Sequence, residues 1–183
     1  MVNGVNLEEI GKFADAIKAD VNVGKVKFIA NSEWLGGTKT EVTFKEFYVG
    51  GQNAAGAKRE FKLQIDEPAG LGGTDEAPNP VELLASALSG CLTAAIATNA
   101  AMFGTELEKI KTHIEVDFDM RGIFGIDRTV PNGALNLHYT VTLKGKGTKE
   151  AMERSKLTID KKSAIRNTLQ LPLNITTDFL IEE

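Results

Sequence analysis

Cys91 is the only cysteine in this 183-residue chain, and it offers the most distinctive chemistry in the sequence. A cysteine thiolate is a strong nucleophile that attacks peroxide oxygens and disulfides. An apolar environment disfavours the thiolate, so a reactive Cys91 would need a cation within reach. Free cysteine is also common as a small, buried and unreactive side chain. Both interpretations, a redox-active thiol and a structural one, remain open from the residue alone.

The segment around Cys91 predicts a long apolar helix. Asn79 suits the N-cap, Pro80 suits the first helical position, and Glu82 stands where a capping box places its carboxylate. Gly104 is a natural stop at the other end. Because almost no polar side chain lies between these signals, we expect this helix to be buried on every side.

A glycine inside that helix points to close packing. Gly90 costs a helix about 1 kcal/mol relative to alanine, which is tolerated where another backbone comes near. Residues one turn away, Ala87 and Ala94, and two turns away, Ala97, are also small. These small residues indicate that another backbone packs tightly against the helix, and the chain's own sheet could supply it.

Periodicity and turn residues predict the remaining elements. Residues 6–19 have apolar side chains at helical spacing and predict an amphipathic helix. Strand patterns occur at residues 25–31, 38–48, 58–65, 109–119, 135–143 and 173–180, and further helices are expected at 148–159 and from Ser163 onward. This order predicts an α+β protein with a helical extension over residues 1–24 and a single domain over residues 25–183.

Composition argues against two classes of partner. The net charge is −4 and no block of lysine or arginine occurs, so we expect no nucleic-acid binding. The apolar stretch over residues 83–98 is shorter than the ~18 residues of a membrane span, and we expect no membrane insertion. A single cysteine gives no sign of an oxidising compartment, and the first residues lack the pattern of a signal peptide. We therefore predict a cytoplasmic protein.

One strand carries potential metal ligands. His113, Glu115, Asp117 and Asp119 alternate with apolar residues and share a strand face. With no second histidine nearby, a solvated surface is favoured over a metal site. His138, the other histidine, is expected to pack or to lie at the surface. We expect neither a metal nor an organic cofactor.

Several segments resemble the OsmC/Ohr family of thiol peroxidases. They are Asp66-Glu-Pro, residues 72–84 (GGTDEAPNPVELL), residues 89–92 (SGCL), residues 119–126 (DMRGIFGI) and residues 162–169 (KSAIRNTL). The resemblance implies an OsmC-like intertwined homodimer in which two buried central helices are wrapped by antiparallel sheets. It also implies thiol sites at the subunit interface.

The resemblance assigns the cysteine positions. Cys91 matches the family's peroxidatic cysteine. The family's second cysteine, which forms a disulfide with the first, is replaced here by Ser163, which is not redox-active. Ser163 also suits the N-cap of the helix that follows it.

The family's charged partners match less completely. The glutamate that lies ten residues before the reactive cysteine is Val81 here, and the adjacent Glu82 is expected to serve the capping box. The activating arginine has no clear match, because no arginine precedes Arg59. Lys39 and Arg59 lie on predicted strands and are possible charge partners, as is Glu82.

Two functions follow from this pattern. The first is a one-cysteine peroxidase, in which Cys91 reduces organic hydroperoxides and an external thiol reductant restores it. The alternative is a non-catalytic OsmC-like protein that binds a small apolar molecule at the dimer interface. The incomplete catalytic set favours the second, and the retained cysteine favours the first.

Overall fold

The computed structural model describes residues 1–181. The chain divides into two compact units. One contains Met1 and residues 6–86, and the other contains residues 2–5 and residues from 87 onward. The boundary falls inside the long helix that carries Cys91, so that helix belongs to both units.

The first unit contains one complete α-helix, two short 3₁₀ helices (Val21–Gly24 and Ala69–Leu71), the start of the Cys91 helix and six short strands. Helix α1 (Leu7–Ala19) begins after Asn6, whose side chain accepts a hydrogen bond from the Glu9 amide at 3.2 Å, as the predicted helix over residues 6–19 requires. The strands form two antiparallel sheets, ordered β1-β4-β5 and β2-β3-β6. They are β1 (Val26–Phe28), β2 (Asn31–Gly36), β3 (Lys39–Phe44), β4 (Phe47–Val49), β5 (Gln52–Asn53) and β6 (Phe61–Ile65).

The predicted strand over residues 38–48 is wrong as a single element. It is interrupted at residues 45 and 46, where β3 ends and β4 begins. β3 pairs with β6 as far as Phe44 opposite Phe61, whereas β4 joins the other sheet opposite β1. Alternating side chains predict a strand but not its partner, so the change of sheet was not predicted. Strand β2, with its exposed Trp34, was also missed.

Asp66 holds the loop that follows β6. Its side chain is 1% exposed, and it accepts hydrogen bonds from the hydroxyls of Thr38 (2.6 Å) and Thr74 (2.7 Å) and from the Thr74 amide (3.0 Å). The hydrogen bond from the Thr38 hydroxyl has the largest effect, and the one from the Thr74 hydroxyl the next largest. Together they hold the pKa of Asp66 well below its usual range. The ionised carboxylate thereby fixes the loop that leads into the Cys91 helix.

Helix α2 (Pro80–Met102) begins and ends where the sequence predicts. The Glu82 amide donates to Asn79 Oδ1 at 2.9 Å, and the Asn79 amide donates to Glu82 Oε2 at 2.8 Å, which completes the capping box. Gly104 follows the helix with a φ of +68°, a left-handed conformation that favours glycine.

In the second unit, one side of α2 packs against a hairpin. Strands β7 (Glu106–Asp117) and β8 (Asn136–Lys146) pair antiparallel along their length. Three short or medium helices complete the unit, α3 (Met120–Ile123), α4 (Lys149–Lys162) and α5 (Ala164–Gln170). The buried core consists of Leu88, Leu92 and Ile96 from α2 and Ile159 from α4. Each fully buried side chain of this kind contributes about 1.5–3 kcal/mol to folding.

The expectation that α2 is buried on every side is wrong for the single chain. Ala87, Gly90, Thr93 and Ala94 are exposed. A Cβ placed on Gly90 would meet no atom within 4 Å in the part of the chain that the structure describes. A two-stranded sheet covers only one side of a helix, and the small-residue face is left open.

Length and composition would also allow α2 to cross a membrane. It is the one such helix in residues 1–181, with a mean hydropathy of 1.6 in its most apolar window. The 23-residue helix is longer than the stretch over residues 83–98 used for the prediction. Length and composition are weak evidence for a transmembrane helix, because the core helix of a soluble protein can have the same length and composition.

Residues 2–5 anchor the start of the chain to the second unit. The Asn3 side chain donates to the Thr105 carbonyl at 2.9 Å and accepts from the Leu107 amide at 2.8 Å. Asn3 has a φ of +55°, a conformation that asparagine tolerates better than most residues. The start of the predicted extension therefore supplies hydrogen bonds to backbone groups next to α2 and β7.

The strands predicted over residues 109–119 and 173–180 have different outcomes. The alternation in β7 is confirmed for His113, Glu115 and Asp117, which are exposed while the residues between them are half-buried. The placement of Asp119 on the same strand face is wrong, because β7 ends at Asp117 and Asp119 is the N-cap of α3. Within residues 1–181 no three histidine, cysteine or carboxylate side chains converge as a metal site would require. The prediction of a strand over residues 173–180 is wrong. These residues are exposed, and they pair with no other strand in the described chain.

The buried carboxylate of Asp66 generates a test of acid stability. A carboxyl whose folded pKa is depressed stabilises the fold above its unfolded pKa of about 3.9, and this stabilisation is lost as the pH falls toward the folded pKa. We expect Asp66→Asn to lower the urea midpoint at about pH 7 and to flatten the loss of stability below about pH 4. The exposed Asp75 of the same loop provides the matched control, Asp75→Asn. Equal urea midpoints for the native protein and Asp66→Asn would contradict this account of the loop.

Candidate functional site

The structure brings Cys91 and Ser163 together across 72 residues of sequence. The Cys91 Sγ atom lies 3.3 Å from the Ser163 Oγ atom, within hydrogen-bonding distance. Cys91 is half-buried on α2, so the sulfur is not sealed inside the core. Among residues 1–181, Ser163 is the hydrogen-bond partner that the sulfur has. These are the two positions that the family resemblance pairs.

Ser163 stands at the junction of two helices. Its amide donates to the Ile159 carbonyl at 2.9 Å, which ends α4. Its side-chain oxygen accepts from the Arg166 amide at 3.3 Å, which begins α5 as the sequence predicts. Ser163 is only 1% exposed. The hydroxyl is therefore held in place from both directions along the chain.

Polar contacts fix α4 relative to α2 and β8 within this unit. The buried Asn99 donates to the Ser155 carbonyl at 3.0 Å, which ties α2 to α4. Tyr139 on β8 donates to Asp160 at 2.7 Å, and burial raises the pKa of this tyrosine. Burial opposes the ionisation of Asp160, yet hydrogen bonds from Lys156 and Tyr139 lower its pKa overall. This cluster holds the end of α4 directly before Ser163.

The candidate charge partners each have their own contacts in the first unit. Lys39 forms an ion pair with Glu76, and that hydrogen bond raises the pKa of Lys39. The guanidinium of Arg59 lies over two aromatic rings, 5.4 Å from the centre of Phe47 and 5.0 Å from that of Phe61. Glu82 is engaged in the capping box of α2. Lys39 and Glu82 are therefore paired, whereas the Nη1 atom of Arg59 is buried without a hydrogen-bond partner in residues 1–181.

Sequence reasoning missed the contact between Ser163 and the sulfur, except through the resemblance. No local pattern places residue 163 beside residue 91, since the contact depends on how α4 and α5 pack. The predicted N-cap at Ser163 is confirmed, since its oxygen accepts from the Arg166 amide. Without the fold and the resemblance, Ser163 had only this role at the start of α5.

A separate apolar groove lies between β8 and α4. It has a volume of about 850 Å³ and is lined by Val141 and Leu143 on the strand and by Met152 and Leu157 on the helix. Lysines stand at its edge. Cys91 is not part of this groove.

Comparison with known proteins identifies the fold. No curated protein matches the chain by sequence. Among solved structures, an osmotic stress-induced and detoxification response protein of Psychrobacter arcticus is 14% identical, with a TM-score of 0.57 over 76% of this chain and 85% of that one. An OsmC-like protein of Mycoplasma pneumoniae is also 14% identical, with a TM-score of 0.56 over 80% of this chain and 87% of that one.

A third solved structure is named for hydroperoxide resistance. The organic hydroperoxide resistance protein OsmC of Legionella pneumophila is 21% identical, with a TM-score of 0.52 over 79% of this chain and 89% of that one. At these identities the likeness establishes the fold. The model of the OsmC-like protein family matches residues 73–178, which is more than half of the chain and includes both Cys91 and Ser163. The chain therefore belongs to the OsmC-like protein family and has its mixed α+β fold with antiparallel sheets.

Proposed function

We propose that this protein is a one-cysteine thiol peroxidase that reduces organic hydroperoxides at Cys91. The contact between Cys91 and Ser163 carries the proposal, because it joins the two positions at which the family's cysteines occur. Cys91 as a residue is half-buried rather than fully enclosed, which supports access by a small hydroperoxide. The name of the Legionella structure supports the substrate class by analogy. A cytoplasmic location, where small thiols are abundant, is part of the same proposal.

The proposed cycle uses one sulfur and two equivalents of an external thiol. The Cys91 thiolate attacks an oxygen of the hydroperoxide, the S–O bond forms as the O–O bond breaks, and the departing alkoxide takes a proton to become an alcohol. The sulfenic acid then reacts with an external thiol, releasing water and leaving a mixed disulfide. A second thiol attacks the mixed disulfide, which restores Cys91 and releases the oxidised reductant.

Because residue 163 is a serine, the reductant in this proposal must come from outside the protein. A two-cysteine enzyme would resolve the sulfenic acid with its second thiol, but a serine hydroxyl cannot form a disulfide. The hydrogen-bond partner of the sulfur in the described residues is the neutral Ser163 hydroxyl. We therefore expect slow turnover, because the thiolate lacks a cationic partner.

A second candidate function rests on the groove between β8 and α4. Its volume and apolar lining suit a small apolar molecule. Binding of such a molecule without hydroperoxide turnover would favour the non-catalytic function over the peroxidase.

We also propose that the protein is a homodimer in which the open faces of two α2 helices meet. The face is small and apolar, with Ala87, Gly90 and Ala94 exposed and open space at Gly90. Small residues allow two helix backbones to approach closely. The exposed apolar side chains that follow α5, such as Leu173 and Phe179, add surface that a partner would cover.

The peroxidase proposal predicts that turnover depends on Cys91. Reduced protein with tert-butyl hydroperoxide and dithiothreitol should consume the peroxide slowly, and Cys91→Ser should lose all consumption above background. The matched control is Thr93→Ser on the same helix, which should retain the native rate. Peroxide consumption and dimedone trapping of sulfenic acid provide the measurements. Native protein that neither consumes peroxide nor traps dimedone would refute the proposal.

Because Cys91 and Ser163 are in contact, we expect the variant Ser163→Cys to form a disulfide between residues 91 and 163. The two sulfur atoms would start near the 3.3 Å that separates Sγ from Oγ, and a small movement reaches the ~2.05 Å of a disulfide. Peroxide treatment should therefore cross-link residues 91 and 163, as seen by non-reducing mass spectrometry. Ser155→Cys, about 12 Å away along α4, is the control and should not cross-link. A folded Ser163→Cys protein that stays reduced would contradict the observed geometry.

The dimer proposal predicts a response to charge on the open face of α2. Ala94→Glu should convert the dimer to a monomer, because two carboxylates would be buried against each other. Thr140→Glu on the exposed face of β8 is the control and should remain dimeric. Sedimentation velocity measures the outcome. A native protein that sediments as a monomer at micromolar concentration would refute the homodimer.

A further inference from the structure

The hydrogen bond between Ser163 and Cys91 has a direction that its neighbours determine. The Ser163 oxygen already accepts a hydrogen bond from the Arg166 amide at 3.3 Å, and an amide N–H can only donate. The serine is 1% exposed, so its own hydrogen needs an acceptor inside the protein. In residues 1–181 the other partner of this oxygen is the Cys91 sulfur.

We infer that Ser163 is a positioning residue that donates its hydroxyl hydrogen to the Cys91 sulfur and thereby favours the thiolate. The reverse direction, with the thiol donating to Ser163, would leave the buried serine hydrogen without an acceptor. An unsatisfied buried donor is unfavourable, whereas a hydrogen bond to an ionised sulfur is stronger than one between neutral groups. The residue that replaces the family's second cysteine thus stabilises the reactive form of the first.

Charged groups near Ser163 are occupied by other contacts. The Arg166 side chain donates to the Asp160 carbonyl at 2.6 Å and to Gln170 at 2.8 Å. The Asp160 carboxylate pairs with Lys156 at 2.6 Å and accepts from Tyr139. Lys161 and Lys162 are exposed. The neutral Ser163 hydroxyl is therefore the group that this junction presents to the sulfur.

The inference deepens the proposed function, since it concerns the nucleophile of that reaction, but it is tested without hydroperoxide. The rate of alkylation by iodoacetamide at about pH 7 measures the thiolate, because only the ionised sulfur reacts. We expect Ser163→Ala to slow alkylation about tenfold, as the loss of a hydrogen bond to a charged group implies. Ser163→Thr, which keeps a hydroxyl, should restore most of the native rate.

Ser155→Ala is the matched control. Ser155 is fully buried on α4, and its hydroxyl donates to the Ala151 carbonyl rather than to the sulfur. Its removal should leave the alkylation rate unchanged. Circular dichroism establishes that each variant is folded. A folded Ser163→Ala protein that reacts at the native rate or faster would overturn the inference.

A second measurement needs no variant. Because Cys91 is the only thiol in the chain, the S–H stretching band in the infrared spectrum belongs to it alone. A thiol that donates to Ser163 would show this band at a clearly lower frequency than a free thiol, and that result would also overturn the inference. A band near the free-thiol position supports it, and so does the absence of the band, because an ionised sulfur carries no S–H bond. Absence of peroxide turnover with either spectrum would instead count against the proposed function, so the two failures are distinguishable.

Discussion

Packing of α2 against the β7–β8 hairpin is the interaction on which the rest of the second unit depends. Leu88, Leu92 and Ile96 form one ridge of the helix, and Ile159 of α4 meets the same core. Because the three residues of α2 are spaced four apart, their burial fixes the rotation of the helix about its axis. Rotation in turn decides which residues remain at the edge of the core. Cys91 lies outside the buried row formed by Leu88, Leu92 and Ile96, and it is half-buried.

The same rotation leaves one face of α2 uncovered, and this explains the helix's composition. A helix that is apolar on every side is expected in an interior, yet a single chain covers only the side that faces the hairpin. The open face is built from small residues, which permit close approach of another backbone. The proposed homodimer resolves this mismatch by placing a second copy on that face. It also gives a physical reason for Gly90, which has no close neighbour within the described chain.

The chemistry of the site depends on the few residues around the sulfur. Ser163 places a neutral hydroxyl, and no second thiol, beside it. Val81 supplies no carboxylate, and Lys39 and Arg59 take part in contacts of the first unit. A nucleophile supported by one neutral hydroxyl is chemically weaker than one supported by a guanidinium, because a full positive charge stabilises a thiolate more strongly. The proposed enzyme is accordingly slow and dependent on an external thiol.

The sequence by itself determined the features that depend on neighbours along the chain. The capping box of Asn79 and Glu82, the stop at Gly104, the N-cap at Ser163 and the alternation of β7 are all local, and the structure confirms each of them. The family motifs also identified the fold, although no spacing rule would have paired residues 91 and 163. Only the tertiary structure decided which strands share a sheet, why residues 38–48 divide between two sheets, and which face of α2 is open. These depend on partners far apart in sequence, and periodicity carries no information about which distant element supplies the partner.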